Sequence, residues 1–372
     1  MGNNKEINLA RKGIEELIAY VPGKPVEEVA REYGISEIIK LASNENPLGT
    51  SPKAVAAMQQ VINSVYMYPE GSSPALRERI AENYGIEKDM VIFGNGADNI
   101  LLLIAQAFIN EGDEVIIGDP TFSVYETTTK IMGGRVIKVP LKNFTYDLAG
   151  IKGKITEKTK IIYICNPNNP TGTIVYQDEI AQFMSAVPEN CLVVFDEAYA
   201  EFAQKGNFPQ TIQFVKDQRN VLIVRTFSKV YGLAGVRVGY AVGPRHLLQI
   251  LNKVVEPFPV NKFAQAGALG ALEDQEFLNE VLQVTEEGKK YLYQELTKMR
   301  MTYAPSFTNF VFVDLKRDAQ EITQKLIERG IIIRPGHIWG LPTCARITIG
   351  TMSQNKKLIE SLREIVKEYD KK

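Results

Sequence analysis

The chain has 372 residues, 45% of them apolar, enough for a large buried core and for about two domains. Its formal net charge of −1 leaves no basic field to gather nucleic acid or an anionic membrane, so any anionic ligand must be met by a few placed arginines. Three cysteines without CxxC spacing (Cys165, Cys191, Cys344) argue against a disulfide framework. Two distant histidines (His246, His337) argue against a two-histidine zinc site, and no GxSxG elbow marks a serine hydrolase.

In chain order, the opening MGNNKEINLARKG lacks the apolar stretch of a signal peptide, and Glu6 stands where an acylation signal needs Ser or Thr. The most apolar segment, Ile100 to Ile109, is interrupted by Gln106 and is too short to cross a bilayer, so a soluble cytoplasmic protein is expected. From Val91 onward, short β-branched runs alternate with helical stretches. Val91–Gly94, Glu114–Pro120, Arg135–Pro140, Lys160–Pro167, Cys191–Tyr199, Asn220–Lys229 and Val238–Gly243 read as strands. Asn99–Asn110 and Asp178–Ala186 are examples of the helices between them. Several of the runs are apolar on both faces, which suits buried strands of a mostly parallel sheet sandwiched by helices, an α/β layered domain.

After the turn Pro257–Asn261 the rhythm changes. A long charged helix is expected from about Gln275 to Arg300, then a strand Phe310–Leu315 and a helix Ala319–Arg329. Strands Ile331–Pro335 and Arg346–Gly350 and a final helix complete a smaller α/β domain. The division this gives is a large domain over residues 41–260. The smaller domain takes residues 261–372, with residues 1–40 returning to it.

In open α/β sheets ligands sit beyond the carboxyl ends of the strands, and here five polar endings collect: GNGAD, DPTF, CNPNNPTG, DEAY and TFSK. Lys229 closes one strand beside Thr226 and Ser228, with Arg237 among nearby glycines. Such a lysine is either solvated or, with a lowered pKa, an amine able to form an imine with a cofactor aldehyde. The small hydroxyls and the guanidinium would suit its phosphate. Asp196 ends the apolar run CLVVF and is either a cap at a strand end or the partner of a ring nitrogen in a cofactor such as pyridoxal phosphate. Because Ala198 shares the strand face of Asp196, Tyr199 must reach that ring by a bend after the strand. Asn169 lies between prolines in a stiff turn, from which its amide could donate to the cofactor's phenolic oxygen. GNGADN precedes a helix, so backbone N–H groups near Ala97 and Asp98 could receive phosphate; it lacks the third glycine of a dinucleotide fingerprint. Phe122 is either a core residue or an aromatic face for a flat ring. Trp339, the only tryptophan, is either packing or a pocket wall.

The whole chain resembles fold type I pyridoxal-phosphate aminotransferases, and most closely the histidinol-phosphate aminotransferase group. The matching segments are YVPGKP (20–25), LASNENPLG (41–49), YPEG (68–71), GNGADNI (94–100), DPTFSVY (119–125), CNPNNPTGT (165–173), DEAYAEF (196–202), RTFSKVYGLAGVRVGYA (225–241), TNFVFV (308–313), IIIRPG (331–336) and ARITIGT (345–351).

The resemblance implies Lys229 as Schiff-base lysine and general acid–base, Asp196 on the pyridine nitrogen, Asn169 and Tyr199 on the phenolic oxygen, and Phe122 stacked on the ring. It implies a phosphate held by Thr226, Ser228 and Arg237 with backbone donors near Ala97 and Asp98. Tyr68 would come from a neighbouring subunit of a homodimer with shared active sites. Arg346 and Arg334 would approach the substrate's carboxylate or phosphate, together with Tyr20, Asn46 and Asn309. The implied reaction moves an amino group between histidinol phosphate and 2-oxoglutarate, with glutamate as the other partner. An aromatic amino acid aminotransferase and a pyridoxal-phosphate lyase or decarboxylase are the alternatives, because the segment Pro335–Cys344 matches no single substrate.

Overall fold

The computed structural model describes residues 9, 11–15, 17, 19, 24–203 and 207–370. The strands in chain order are β1 (Ile39–Lys40), β2 (Val91–Gly94), β3 (Glu114–Asp119), β4 (Arg135–Pro140), β5 (Thr159–Cys165), β6 (Leu192–Asp196), β7 (Val221–Thr226) and β8 (Gly239–Val242). They continue with β9 (Thr302–Tyr303), β10 (Phe310–Asp314), β11 (Ile331–Ile332), β12 (Arg334–Pro335) and β13 (Cys344–Thr348).

Seven strands form the central sheet in the order β2-β8-β7-β6-β5-β3-β4, parallel throughout except for β8, which runs against both neighbours. The seven expected strands are therefore one sheet, mostly parallel, and the chain is an α/β protein. Val193, Val194, Phe195, Ile161 and Val224 are completely buried, as continuous apolar runs require when helices cover both faces. Reversal of β8 has a positional consequence. Gly239, its first residue, pairs with Thr226 at the end of β7 and Gly94 at the end of β2. Arg237 thus enters the edge at which GNGAD, DPTF, CNPNNPTG, DEAY and TFSK all emerge.

A second, four-stranded antiparallel sheet has the order β12-β13-β10-β9. Its period-2 alternation sorts two functions. Val311, Val313, Ala345 and Ile347 turn to a smaller hydrophobic cluster, joined by residues of the helices Gln275–Lys298, Ala319–Ile327 and Met352–Asp370. Phe310, Phe312, Arg346 and Thr348 occupy the opposite face, and Arg334 stands directly across from Arg346. β1 pairs with β11, tying residues 39–40 to this smaller unit.

The helix Lys262–Leu272 departs from the expected division after residue 260. Its buried residues Ala264, Ala268, Ala271 and Leu272 belong to the larger cluster, and the helix packs on the helix Pro52–Val61. Small side chains let the two backbones approach: a Cβ on Gly270 would stand 2.6 Å from the Lys53 carbonyl oxygen. The Pro-bearing turn before this helix breaks the rhythm of the sequence without ending the packing unit.

Candidate active site

Thr226 is the last residue of β7, and the wholly buried Phe227 anchors the turn that carries Ser228 and Lys229. Lys229 Nζ donates to the Ser43 carbonyl oxygen at 3.2 Å and lies 5.8 Å from the centre of the Tyr199 ring. Burial pushes its ammonium down to about 8, and the positive charge of Arg346 adds to the effect. The amine is therefore partly neutral, and nucleophilic, near physiological pH.

Asp196 closes β6 and is 3% exposed. Its Oδ2 accepts from the Tyr125 hydroxyl at 2.6 Å and its Oδ1 from the Ala198 N–H at 3.1 Å. Burial raises its pKa to about 6 despite these two bonds. Tyr125 stacks on Tyr163 of β5 at 4.6 Å, and Phe122 meets Tyr125 edge-on at 5.8 Å. Sequence reasoning passed over Tyr125; the available signal was its place in DPTFSVY, about one helical turn beyond Phe122. Glu197, beside Asp196 in DEAY, belongs to a separate buried group. It takes the Arg225 guanidinium at 2.7 Å, and Arg225 also reaches Glu201 at 3.1 Å.

A corner of donors that could take an anion forms around Arg237, whose backbone is left-handed (φ 59°). Its Nη1 lies 3.4 Å from Ser228 Oγ and its Nη2 3.3 Å from Asp98 Oδ2, while the Ser228 N–H donates to Thr226 Oγ1 at 3.1 Å. The helix Ala97–Phe108 starts two residues earlier than expected. Gly96 at its cap supplies no side chain to the first-turn N–H groups, which leaves those of Ala97 and Asp98 for an anion. Gly96 has φ 85°, and a Cβ there would sit 2.4 Å from Arg237 Nη2. Gly96→Ala should displace that guanidinium and weaken anion binding about tenfold, the worth of one charge-assisted hydrogen bond. The inorganic phosphate concentration needed to raise Tm relative to the variant's own phosphate-free value measures this, and an unchanged requirement would remove Arg237 from the corner.

The segment Ala42–Asn46 runs between the two units and joins the remaining groups. Tyr199 lies in the turn after β6, as the strand alternation requires; its hydroxyl accepts from Asn44 Nδ2 at 2.9 Å, and burial pushes its pKa up. Asn309 Nδ2 donates to the Asn44 carbonyl at 3.0 Å. Arg346 places Nη1 on Asn169 Oδ1 and Nη2 on the Ala42 carbonyl, both at 2.6 Å. Asn46 commits its side chain locally, donating to the Val230 carbonyl at 2.9 Å and accepting from the Leu48 N–H at 3.0 Å. Asn44, with a left-handed φ of 57°, is thus the residue of LASNENPLG that touches Tyr199, and the sequence reading did not single it out. Arg334 and Arg346 are 7% and 8% exposed.

Lys229, Tyr199 and Arg346 meet on the segment Ala42–Asn44, Arg346 carries Asn169 with it, and Asp196 with Phe122, and Arg237 with Ser228, Thr226 and Asp98, open on the same sheet edge. Tyr68 joins none of these contacts: it is 79% exposed and stacked on Phe258 at 4.5 Å. Tyr20 lies outside the described residues.

A depressed amine and a buried carboxylate lie at the carboxyl edge of a mostly parallel sheet, with a guanidinium and a helix N-terminus beside them, and the known proteins with this layout are fold type I enzymes. The family described as aminotransferase class I and II matches residues 36–362. The chain is 47% identical to a histidinol-phosphate aminotransferase from Moorella thermoacetica, over 96% of this chain and 92% of that one. It is 44% identical to histidinol-phosphate aminotransferase 2 from Carboxydothermus hydrogenoformans, over 96% and 99%. The crystal structure of histidinol-phosphate aminotransferase from Sinorhizobium meliloti, in complex with pyridoxal-5'-phosphate, superposes with a TM-score of 0.89 at 27% identity, covering 97% of this chain and 99% of that one. The chain belongs to the class I and II aminotransferase family and is an aminotransferase.

Proposed function

We propose that the enzyme uses pyridoxal 5'-phosphate to exchange an amino group between histidinol phosphate and 2-oxoglutarate, giving imidazole acetol phosphate and glutamate, a step of histidine biosynthesis. Near-full-length likeness to relatives bearing that name carries the choice of substrate. The donor set fits the cofactor: an amine of lowered pKa for an aldehyde, a buried carboxylate for a ring nitrogen, and a guanidinium with hydroxyls and a helix N-terminus for a phosphate. Lys229 would hold the aldehyde carbon. Asp196 would face the ring nitrogen, Phe122 the ring, and Thr226, Ser228, Arg237 and the Ala97–Asp98 N–H groups the phosphate. When bound, the cofactor supplies an electron sink for charge developing at the substrate α-carbon.

The protein's own groups do the rest. Lys229 Nζ, with a pKa of about 8, takes up and returns the substrate α-proton near neutral pH. Asp196 would keep a proton on the ring nitrogen of the bound cofactor. Because Tyr199 oxygen already accepts from Asn44, its O–H is left to donate; because Asn169 Oδ1 already accepts from Arg346, its Nδ2 is left to donate. Both donors suit the phenolic oxygen. Arg334 and Arg346, directly opposite across a ladder, bring two positive charges to one face. That arrangement suits a shared carboxylate or phosphate. Asn309 braces Asn44, while Asn46 and Tyr20 complete the substrate end of the assignment. Glutamate and the amino phosphate take turns in one site, which gives ping-pong kinetics.

The assembly that goes with this reading is a homodimer. Ile62, Val65, Tyr66, Met67 and Tyr68 are large apolar side chains left exposed together with Phe258, and Tyr68 would reach the partner's site from this patch. The large domain is assigned to residues 41–260, with the helix Lys262–Leu272 packed into its core, and the smaller one to the rest. Three buried free thiols suit a reducing cytoplasm, and among the described residues no helix is long and apolar enough to cross a membrane.

Phe122 and Trp339 line one cavity of about 300 Å³, which makes an aromatic amino acid the competing substrate. The expected result is a kcat/KM for histidinol phosphate at least about a hundredfold above that for phenylalanine, since a phosphate dianion offsets more of the charge of two arginines than the single carboxylate of phenylalanine does. A preference for phenylalanine would overturn the assignment, and failure of glutamate to yield pyridoxamine phosphate would point to a lyase or decarboxylase.

A further inference from the structure

Trp339 sits in the short helical turn Gly336–Trp339 that links the strands of the two arginines. The Arg346 guanidinium carbon is 5.5 Å from the centre of the indole and 5.5 Å from that of Phe310. Behind the indole stands Phe312 at 6.0 Å, edge to face, and behind Phe312 stands Phe144 of the larger unit at 5.6 Å. The indole is thereby braced by rings from both units. Two kinds of contact fix Arg346. Its edges are held by Asn169 Oδ1 and the Ala42 carbonyl, and its guanidinium carbon lies over two aromatic rings.

These contacts respond differently to substrate. An incoming carboxylate or phosphate draws on the guanidinium's five N–H donors and can exchange with an edge contact to be gripped at two points. Ring contacts are not consumed by that exchange. We propose that Trp339 is the positioning residue that holds Arg346 in place as the substrate anion binds, and so sets the affinity for the anionic end of the substrate. The inference rests on the reading of Arg346 as the anion-binding arginine. It also gives the protein a built-in reporter, because Trp339 is the only tryptophan in the chain.

The experiment uses the cofactor-loaded enzyme and succinate, an unreactive dicarboxylate. Succinate should change the intrinsic tryptophan emission saturably, with a midpoint matching its inhibition constant, and Arg346→Gln should abolish both responses. Trp339→Leu should raise KM for 2-oxoglutarate about tenfold, the worth of a partly desolvated cation–ring contact, with kcat falling less than threefold. Trp339→Phe, which keeps an aromatic face, should recover most of that loss. Equal KM values for the Leu and Phe variants, or emission that ignores inhibitory succinate, would overturn the role of Trp339 while leaving Arg346 in place. Undiminished succinate inhibition of Arg346→Gln would remove the arginine from the anion site, and the role of Trp339 with it.

Discussion

Lys229→Ala should lose transamination by about 10⁴-fold or more while the protein stays folded, because one atom serves as both attachment point and proton carrier. The variant should retain cofactor only weakly, which dialysis followed by the visible spectrum measures. Its stability should not suffer at pH 7. Among the described residues the only hydrogen bond of Lys229 Nζ is the 3.2 Å contact to Ser43, and burial has lowered the amine from its ordinary 10.5 to about 8. A lysine whose folded pKa is depressed favours the fold most at pH above 10.5, and that contribution is lost as pH falls through about 8, where the buried site must accept a charge. Alanine has no such charge to bury. Parent and variant, both without cofactor, should therefore converge at high pH, with the variant at least as stable near neutrality. Near-normal turnover in the variant would mean that another base does the work.

Much of this site was legible because strand ends announce themselves. Apolar runs buried on both faces end abruptly in polar residues, and in a parallel sheet those ends share an edge, so Asp196, Lys229, Asn169 and the Gly94–Asp98 turn could be gathered without coordinates. Groups joined across long stretches of chain were not legible. Arg346 meets Asn169 across 177 positions, and Asn44 meets Tyr199 across 155. No local pattern separates Asn44 from Asn46 in LASNENPLG; a left-handed backbone at Asn44 makes the difference. Tyr125 was hidden for another reason. On a helix after β3 it has the spacing of an ordinary core aromatic, and only the fold brings its hydroxyl to Asp196. The reversal of β8 likewise left no trace in VGYAVG, although it is what delivers Arg237 to the site.

Asp196→Asn should separate stability from catalysis. In the cofactor-free protein, burial has raised this carboxyl from its ordinary 3.8 to about 6. A raised carboxyl favours the fold fully below about 3.8, and that contribution is lost as pH rises through about 6, where the native state must hold a buried anion. The parent should therefore weaken between pH 4 and pH 6 and level off above, while the neutral carboxamide escapes this loss. The asparagine can keep both neighbours, its Oδ1 accepting from the Ala198 N–H and its Nδ2 donating to the Tyr125 oxygen. That bond uses the hydroxyl as an acceptor and leaves its proton without Asp196, so the gain falls short of the full shift of about 3 kcal/mol. We expect about 1–2 kcal/mol in favour of the variant at pH 7, vanishing near pH 4, by urea unfolding across that range. Turnover should move the other way and fall by about 10²–10³ or more, since a carboxamide cannot balance a positive ring nitrogen. Unfolding curves that stay parallel from pH 4 to pH 8 would show that Asp196 bears no burial cost. The carboxylate would then have to be held in place by charge not yet located around it, and Tyr125 alone would not account for the state of the site.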